Sequence, residues 1–462
     1  MSLWRYIREH MEDHLAQTVG EDGNKMTYEE LIVLAENIAD KLKGEKSCAI
    51  YCHSEISTAI ALLGCFAAEV TAIPLSWRYG ENHCKKILEF ISPTCVITDW
   101  EGDLGIYHIS DSQYIPPEEN PALIMCTSGT TGTPKGVMLT EGNVRTNVGD
   151  IAEYFDMKTD DKILISRPLY HCAVLTGEFL TALIKGVQIE FCSKNFNPLD
   201  IIKLWEKEQI SVFCGTPTLL RVLSRFTPKD KSVSLRHIVI SGECMSESVG
   251  REIVECFSGA KIYHVYGLTE ACPRVSYMPP EHFSEYPGYV GRPLRSVEIK
   301  IINPDTDEKV KQGEKGILWV RGDNIMMGYY SAPALSEKVL KDGWLCTGDI
   351  ASIDDTGWLK IYGRNDDLII RAGMNIYPQE IEAELKKDNR TKDVFVYGYN
   401  DSKYGVQIGM DISGDYKDRN EVHDLCKKIL PSYQIPSKIN LLSELRKSAS
   451  GKVIRVKNDA GT

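Results

Sequence analysis

No apolar run in this sequence reaches the roughly 18 residues that a membrane-spanning helix needs. The first residues, MSLWRYIREHMEDHLAQ, are charged throughout and lack the apolar stretch of a secretory signal. The 14 cysteines include no Cys-x-x-Cys pair and no paired Cys/His spacing of the zinc-site kind. Several of them, Cys48, Cys52, Cys65, Cys126, Cys192 and Cys214, sit inside apolar runs, as reduced buried thiols do. Excess basic charge is missing too. The 53 Lys and Arg against 65 Asp and Glu give a net charge of -12, which argues against a nonspecific grip on nucleic acid or an anionic membrane surface. Low-complexity tracts and repeats of roughly 20 to 50 residues are also lacking. The expectation is a cytoplasmic protein with no membrane span and no nucleic-acid partner.

What remains is ordinary globular composition, 43% apolar and 26% charged over 462 residues, which excludes collagen, coiled coil and disordered linker. At about 150 residues per domain the length allows about three domains, or one large and one small. Helical periodicity over residues 27 to 43 leads into SCAIYC, a buried strand pattern, and SEISTAIALLGCFAAEVTAIPL reads as a helix running into another strand. The alternation recurs in ILEFISPTCVITD, PLDIIKLWEKEQISVFCG and REIVECFSGAKIYHVYG, predicting a doubly wound parallel α/β architecture for the first 270 residues. From about residue 287 the short alternating segments VEIKII, GILWVRG, DIASID and WLKIYG predict an antiparallel β-rich subdomain. Beyond Gly363 a compact α+β pattern places a second domain at residues 367 to 462.

The segment LIMCTSGTTGTPKGVMLT runs from a strand pattern into a loop built to hold phosphate. Gly129, Gly132 and Gly136 let backbone approach an anion. Thr127, Ser128, Thr130, Thr131 and Thr133 add hydroxyl donors, and Lys135 a mobile positive charge. It is not a Walker A loop, because Gly136 rather than Ser or Thr follows Lys135.

This loop resembles, over its whole length, the signature of the adenylate-forming superfamily of acyl-CoA synthetases, carrier-protein adenylation domains and luciferases. The resemblance continues in family order through YGLTE (Tyr266 to Glu270), DGWLCTGDI ending near Asp349, YGRNDDLIIRAGMNIYPQEIE (Tyr362 to Glu382) and KSASGKVIR, which contains Lys452. It implies an α/β fold: a large N-terminal domain of doubly wound sheets plus a β-rich subdomain at 1 to 363, a hinge at 364 to 366, and a small mobile C-terminal α+β domain at 367 to 462 carrying the catalytic lysine. It also implies attack of a carboxylate on the α-phosphate of ATP, giving acyl-AMP and pyrophosphate, followed by displacement of AMP by a thiol. Two anions meet in the first step, so the protein's work is charge neutralisation and positioning.

By the same resemblance Glu270 binds Mg2+, Thr269 contacts phosphate, Tyr266 lies against adenine, and Asp349 and Arg364 hold the ribose. Lys452 bridges the acid's carboxylate and the α-phosphate, and the small domain turns about Asp366, bringing the segment around Gly373 to the thiol tunnel. Outside its motif each of these reads blandly: Glu270 as a helix-end charge, Asp349 as a turn residue and Lys452 as a solvated lysine.

His171, after the PLY turn in SRPLYHCAVLTGEF, stands where amino-acid-activating domains usually carry an aspartate to balance a substrate ammonium, so an α-amino acid is disfavoured. Cys172, Leu175, Val239, Ser241, Gly242, Val265 and Pro273 are the implied pocket wall, small to medium and mostly apolar, suiting an aromatic or medium-chain acid. Arg274 pointing inward would select a second carboxylate or a phenolate, whereas exposure is the ordinary expectation for arginine. The acceptor is CoA, for which Trp77 and Arg78 resemble nucleotide contacts of some aryl-CoA ligases, or the phosphopantetheine of an acyl carrier protein, expected to be separate because the sequence ends soon after Lys452. Ile370, where many members have lysine, and Arg446, in place of a usual proline, depart from the family pattern.

Overall fold

The computed structural model describes residues 1–76, 81–100, 102–128, 134–192, 197–227, 234–371, 374–401, 405–447 and 453. Among these, seven strands form one sheet in the order Gly328–Tyr329, Pro134–Leu139, Leu123–Ser128, Thr71–Pro74, Ser47–Ile50, Cys95–Thr98, Gly105–His108. Nine form a second, in the order Arg292–Pro293, Arg274–Met278, Lys261–Gly267, His237–Ile240, Val212–Gly215, Lys162–Ile165, Gln188–Phe191, Thr18–Glu21, Asn24–Thr27. The interior pairs are parallel, fed by the predicted helices. The edges correct the parallel expectation, since Pro134–Leu139, Gly105–His108, Arg274–Met278 and Asn24–Thr27 all pair antiparallel. Near an edge no crossover helix is available to cover a further parallel strand, so the chain turns back instead. The hairpin of Thr18–Glu21 and Asn24–Thr27 lies ahead of the first predicted helix and escaped the sequence reading. Its turn is Asp22-Gly23, with both φ angles positive at 51° and 89°, the combination a two-residue hairpin demands.

Both sheets contribute to one core with helices Leu3–Glu12, Tyr28–Lys41, Glu55–Ala67 and Glu141–Tyr154. Helix Glu55–Ala67 is apolar on nearly every side because it is buried along nearly its whole length. Capping boxes start two of the helices: Thr27 and Glu30 exchange backbone bonds at one N-terminus, Thr140 and Asn143 at another. No helix among the described residues is long and apolar enough to cross a membrane.

The antiparallel subdomain appears as expected, with Val297–Ile302, Gly316–Gly322, Trp344–Ile353 and Leu340–Lys341 in sequence across a sheet and Leu359–Arg364 paired to Trp344–Ile353. A 3₁₀ turn, Asn365–Asp367, follows. Beyond it the chain builds a separate core from Ile369, Ile381, Val394, Val396, Ile408, Met410 and Val422. Across this junction Glu380 pairs with Lys315 at 2.7 Å, and the lysine ammonium lies 4.0 and 4.1 Å from the ring centres of Tyr362 and Tyr377.

The chain reverses between the strands Lys261–Gly267 and Arg274–Met278 through a tight polar return. Gly267 is glycine because a Cβ there would stand 1.9 Å from the carbonyl oxygen of Pro273. Asn147 fastens the return from helix Glu141–Tyr154: its amide donates to the Arg274 carbonyl at 2.8 Å and its carbonyl accepts from the Arg274 N–H at 3.1 Å. Asn324 donates to the carbonyls of Ala271 at 2.8 Å and Arg274 at 3.1 Å. Both asparagines are fully buried. Asn147→Ala leaves a buried N–H unpaired and removes a donor from a buried carbonyl, so it is expected to cost about 1–3 kcal/mol. Calorimetric unfolding checks this, and an unchanged midpoint would show that the return is held by other contacts.

Candidate active site

Near the end of the strand Lys261–Gly267 stands Tyr266, whose hydroxyl donates to the carboxylate of Asp349. Asp349 lies on Trp344–Ile353 directly opposite Arg364, the last residue of Leu359–Arg364. Their side chains approach to 3.4 Å, and Arg364 also donates to the Thr347 carbonyl at 3.0 Å. Asp349 is 8% exposed. Burial holds its carboxyl above the usual carboxylate range, opposed by the Arg364 guanidinium and the Tyr266 hydroxyl. Burial together with the Asp349 charge pushes the Tyr266 phenol well up. The arrangement is a buried carboxylate with one flanking cation, a site suited to accepting further hydrogen bonds from a ligand's hydroxyl groups.

Glu270 stands on the short 3₁₀ turn Thr269–Ala271 of the return and acts electrostatically on both Asp349 and Arg364. It accepts from the hydroxyl of Tyr329 at 2.8 Å. Tyr329 belongs to Gly328–Tyr329, which pairs with the strand carrying Lys135, and the Lys135 ammonium lies 5.9 Å from the Tyr329 ring centre. Tyr329 thus stands between Lys135 and Glu270. It escaped the sequence reading because a Gly-Tyr-Tyr run has no chemical signature until the sheet order places it beside Pro134–Leu139. Thr127 and Ser128 end the strand Leu123–Ser128, whereas Gly129, Thr130, Thr131 and Gly132 lie outside the described residues. Lys452, Gly373, Trp77 and Arg78 lie outside them as well.

His171 caps the short helix Cys172–Val174 with its backbone carbonyl, and its ring centre sits 4.2 Å from that of Tyr170. Cys172, Leu175, Val239, Ser241, Val265 and Pro273 are buried, while Gly242 is exposed with φ of 92°. Val239 and Val265 come from adjacent parallel strands, and Val239 is in register with Tyr263 on one side and Cys214 on the other. Arg274 corrects the expectation of exposure: it is 4% exposed. It opens the strand Arg274–Met278, its backbone is clamped by Asn147, and its guanidinium runs inward beside Gly177. The sequence reading also passed over Arg167 and Glu178, which pair at 2.5 Å. Their signal was available: an arginine and a glutamate within one otherwise apolar window must find each other if that window is buried.

Asp366, the expected hinge, lies in the 3₁₀ turn between the two cores, directly after Arg364 and Asn365. Asp367 accepts from Gln379 at 3.0 Å across that turn.

Comparison with known proteins agrees with this layout. The chain is 28% identical to a feruloyl-CoA synthase of Amycolatopsis sp, covering 98% of this chain and 97% of that protein. It is 30% identical to the indoleacetate–CoA ligase of Aromatoleum aromaticum, over 93% and 91% respectively. The o-succinylbenzoate coenzyme A synthetase of Bacillus subtilis, solved in complex with ATP and a magnesium ion, superposes with a TM-score of 0.85 at 26% identity, covering 98% of both chains. The phosphate loop, the polar return and the strands that frame them all fall within residues 3–330, the span matched by the model of one family, and this chain therefore belongs to the AMP-binding enzymes.

Proposed function

We propose that this protein is an ATP-dependent acid–CoA ligase acting on an aryl or medium-chain acyl carboxylic acid rather than an α-amino acid. A carboxylate oxygen of the acid attacks the α-phosphorus of ATP, the bond to pyrophosphate breaks, and acyl-AMP forms. The sulfur of coenzyme A then attacks the acyl carbon, and the bond to AMP breaks. The observation that carries this reading is the buried Asp349 carboxylate, with Tyr266 and Arg364 around it and Glu270 close by. A ribose diol would add two hydroxyl donors to the contacts this buried carboxylate already has with Tyr266 and Arg364.

On this reading Asp349 and Arg364 hold the ribose and Tyr266 faces the adenine. Thr127, Ser128, Gly129, Thr130, Thr131, Gly132, Lys135 and Thr269 hold the phosphates. Glu270 would hold magnesium; it offers a hard oxygen ligand already oriented by Tyr329, and the bound ion supplies neutralisation of phosphate charge. Lys452 places its ammonium between the two reacting anions. His171, Cys172, Leu175, Val239, Ser241, Gly242, Val265 and Pro273 line the acid pocket. The division into residues 1–363, a hinge at 364–366 and 367–462 lets the small domain turn about Asp366, withdrawing Lys452 before the thiol arrives. Coenzyme A is the acceptor favoured here, because the relatives are named for it.

Pyrophosphate release across a panel of aromatic, aliphatic and amino acids, each with and without coenzyme A, tests the reading. Turnover with one acid that rises on adding coenzyme A is expected. Slow release that coenzyme A leaves unchanged would move the acceptor to a carrier protein.

Lys452→Ala is expected to abolish adenylation while ATP still binds, measured by pyrophosphate release beside ATP titration; full adenylation would remove the role assigned to Lys452. Asp366→Pro is expected to spare acyl-AMP formation and block thioester formation, because proline fixes φ at the turn. Equal loss of both half-reactions would count against rotation about Asp366.

A further inference from the structure

The pocket wall contains a cluster of buried charge that does not balance. Arg167 donates through Nη2 to Glu178 at 2.5 Å and to Ser241 at 3.3 Å. Glu178 is 1% exposed. Arg274 reaches the same place from the other side. Its Nη2 lies 2.7 Å from where a Cβ on Gly177 would stand, so the guanidinium crosses the π-helical turn Leu175–Leu180 in space that only glycine at position 177 leaves open. Two guanidinium groups, which arginine cannot neutralise by losing a proton, therefore act on one carboxylate.

Glu178 meets Arg167 through one carboxylate oxygen, Oε1. It is committed to Arg167, and no ion pair to Arg274 occurs among the described residues. The Nε of Arg274 is buried without a hydrogen-bond partner, as are the hydroxyl of Tyr154 and the second carboxylate oxygen of Glu178. Tyr154 feels the Arg274 charge directly. Two guanidinium groups gathered around one carboxylate leave the cluster with more positive than negative charge. A buried cation in this state needs an anion. The location says where that anion comes from: Ser241, which binds Arg167, and Pro273, which precedes Arg274, are both walls of the proposed acid pocket.

We propose that the acid is a dianion: besides the carboxylate that is activated, it carries a second carboxylate at its far end, and Arg274 is the residue that selects it. Arg167, held by Glu178, backs the same pocket wall and adds to the positive potential there. The inference rests on the acid–CoA ligase reading and narrows its substrate to dicarboxylic acids, in which an aryl or acyl frame separates the two carboxylates. A neutral tail would leave the guanidinium unpaired, and that penalty is what discriminates against it.

The test compares dicarboxylic acids, aliphatic and aromatic, with the half-amide and the monocarboxylic acid of the same length, following coenzyme A-dependent pyrophosphate release by the full-length protein. The best dicarboxylic acid is expected to exceed its half-amide by about a hundredfold or more in kcat/KM. Arg274→Met is expected to remove most of that advantage, chiefly through a raised KM for the dicarboxylic acid, with turnover of the monocarboxylic acid retained or improved. Arg274→Lys is expected to recover part of it. Equal use of the dicarboxylic acid and its half-amide by the unsubstituted protein would overturn the inference without recourse to any variant. Equal loss on all acids in Arg274→Met would overturn it too, since a merely structural arginine has no preference among acids. Absence of pyrophosphate release and of thioester with every acid would instead overturn the ligase reading on which the inference rests.

Discussion

The site depends on one constraint, the return of the chain from Gly267 to Arg274, which starts at the surface and runs into the interior over Ala271 to Arg274. Backbone groups in that buried stretch cannot reach water, so each needs a partner from elsewhere. Asn147 and Asn324, buried side chains from distant segments, supply those partners to Ala271 and Arg274. Gly267 lets the two strands pass at a distance no side chain would permit. Fastened in this way, a few consecutive residues present Tyr266 to Asp349, Glu270 to Tyr329 and Arg274 to the Gly177 turn. One clamped segment thus serves both the nucleotide side and the acid side of the proposed chemistry.

The two buried charge centres attached to this segment are handled differently. Asp349 has a cation and a hydroxyl within contact. Around Gly177, among the described residues, two arginines, Arg167 and Arg274, act on one carboxylate, Glu178. Desolvation makes the difference consequential: a balanced pair can wait for its ligand, whereas an unbalanced one gains from any ligand that brings the missing charge. The same physics that restricts buried charge in folding becomes selectivity in binding.

Much of this was legible before any coordinates. Apolar periodicity located the helices and interior strands, and YGLTE and TGD announced the polar residues that meet at the site. Other features were legible only in part. The hairpin at Asp22-Gly23 carried its own turn signal, yet the strands beside it are short and one of them, Asn24–Thr27, is polar at its start, so alternation was hard to see. Tyr329 carried none, since its importance comes from pairing with the strand of Lys135 far earlier in the chain. The antiparallel edges likewise follow from sheet order, which periodicity within a segment does not encode.

The sequence by itself determined the local elements, the order of the motifs and the family, because these depend on neighbouring residues and their spacing. Tertiary structure alone decided that Arg274 points inward, that Tyr266 and Asp349, 83 residues apart, share a proton-donating contact, and that Glu178 answers to Arg167. The reason is physical. Burial and charge balance belong to a volume rather than to a stretch of chain, so an arginine that reads as an ordinary surface residue becomes a buried cation, with no ion pair among the described residues, only when packed strands and helices close around it.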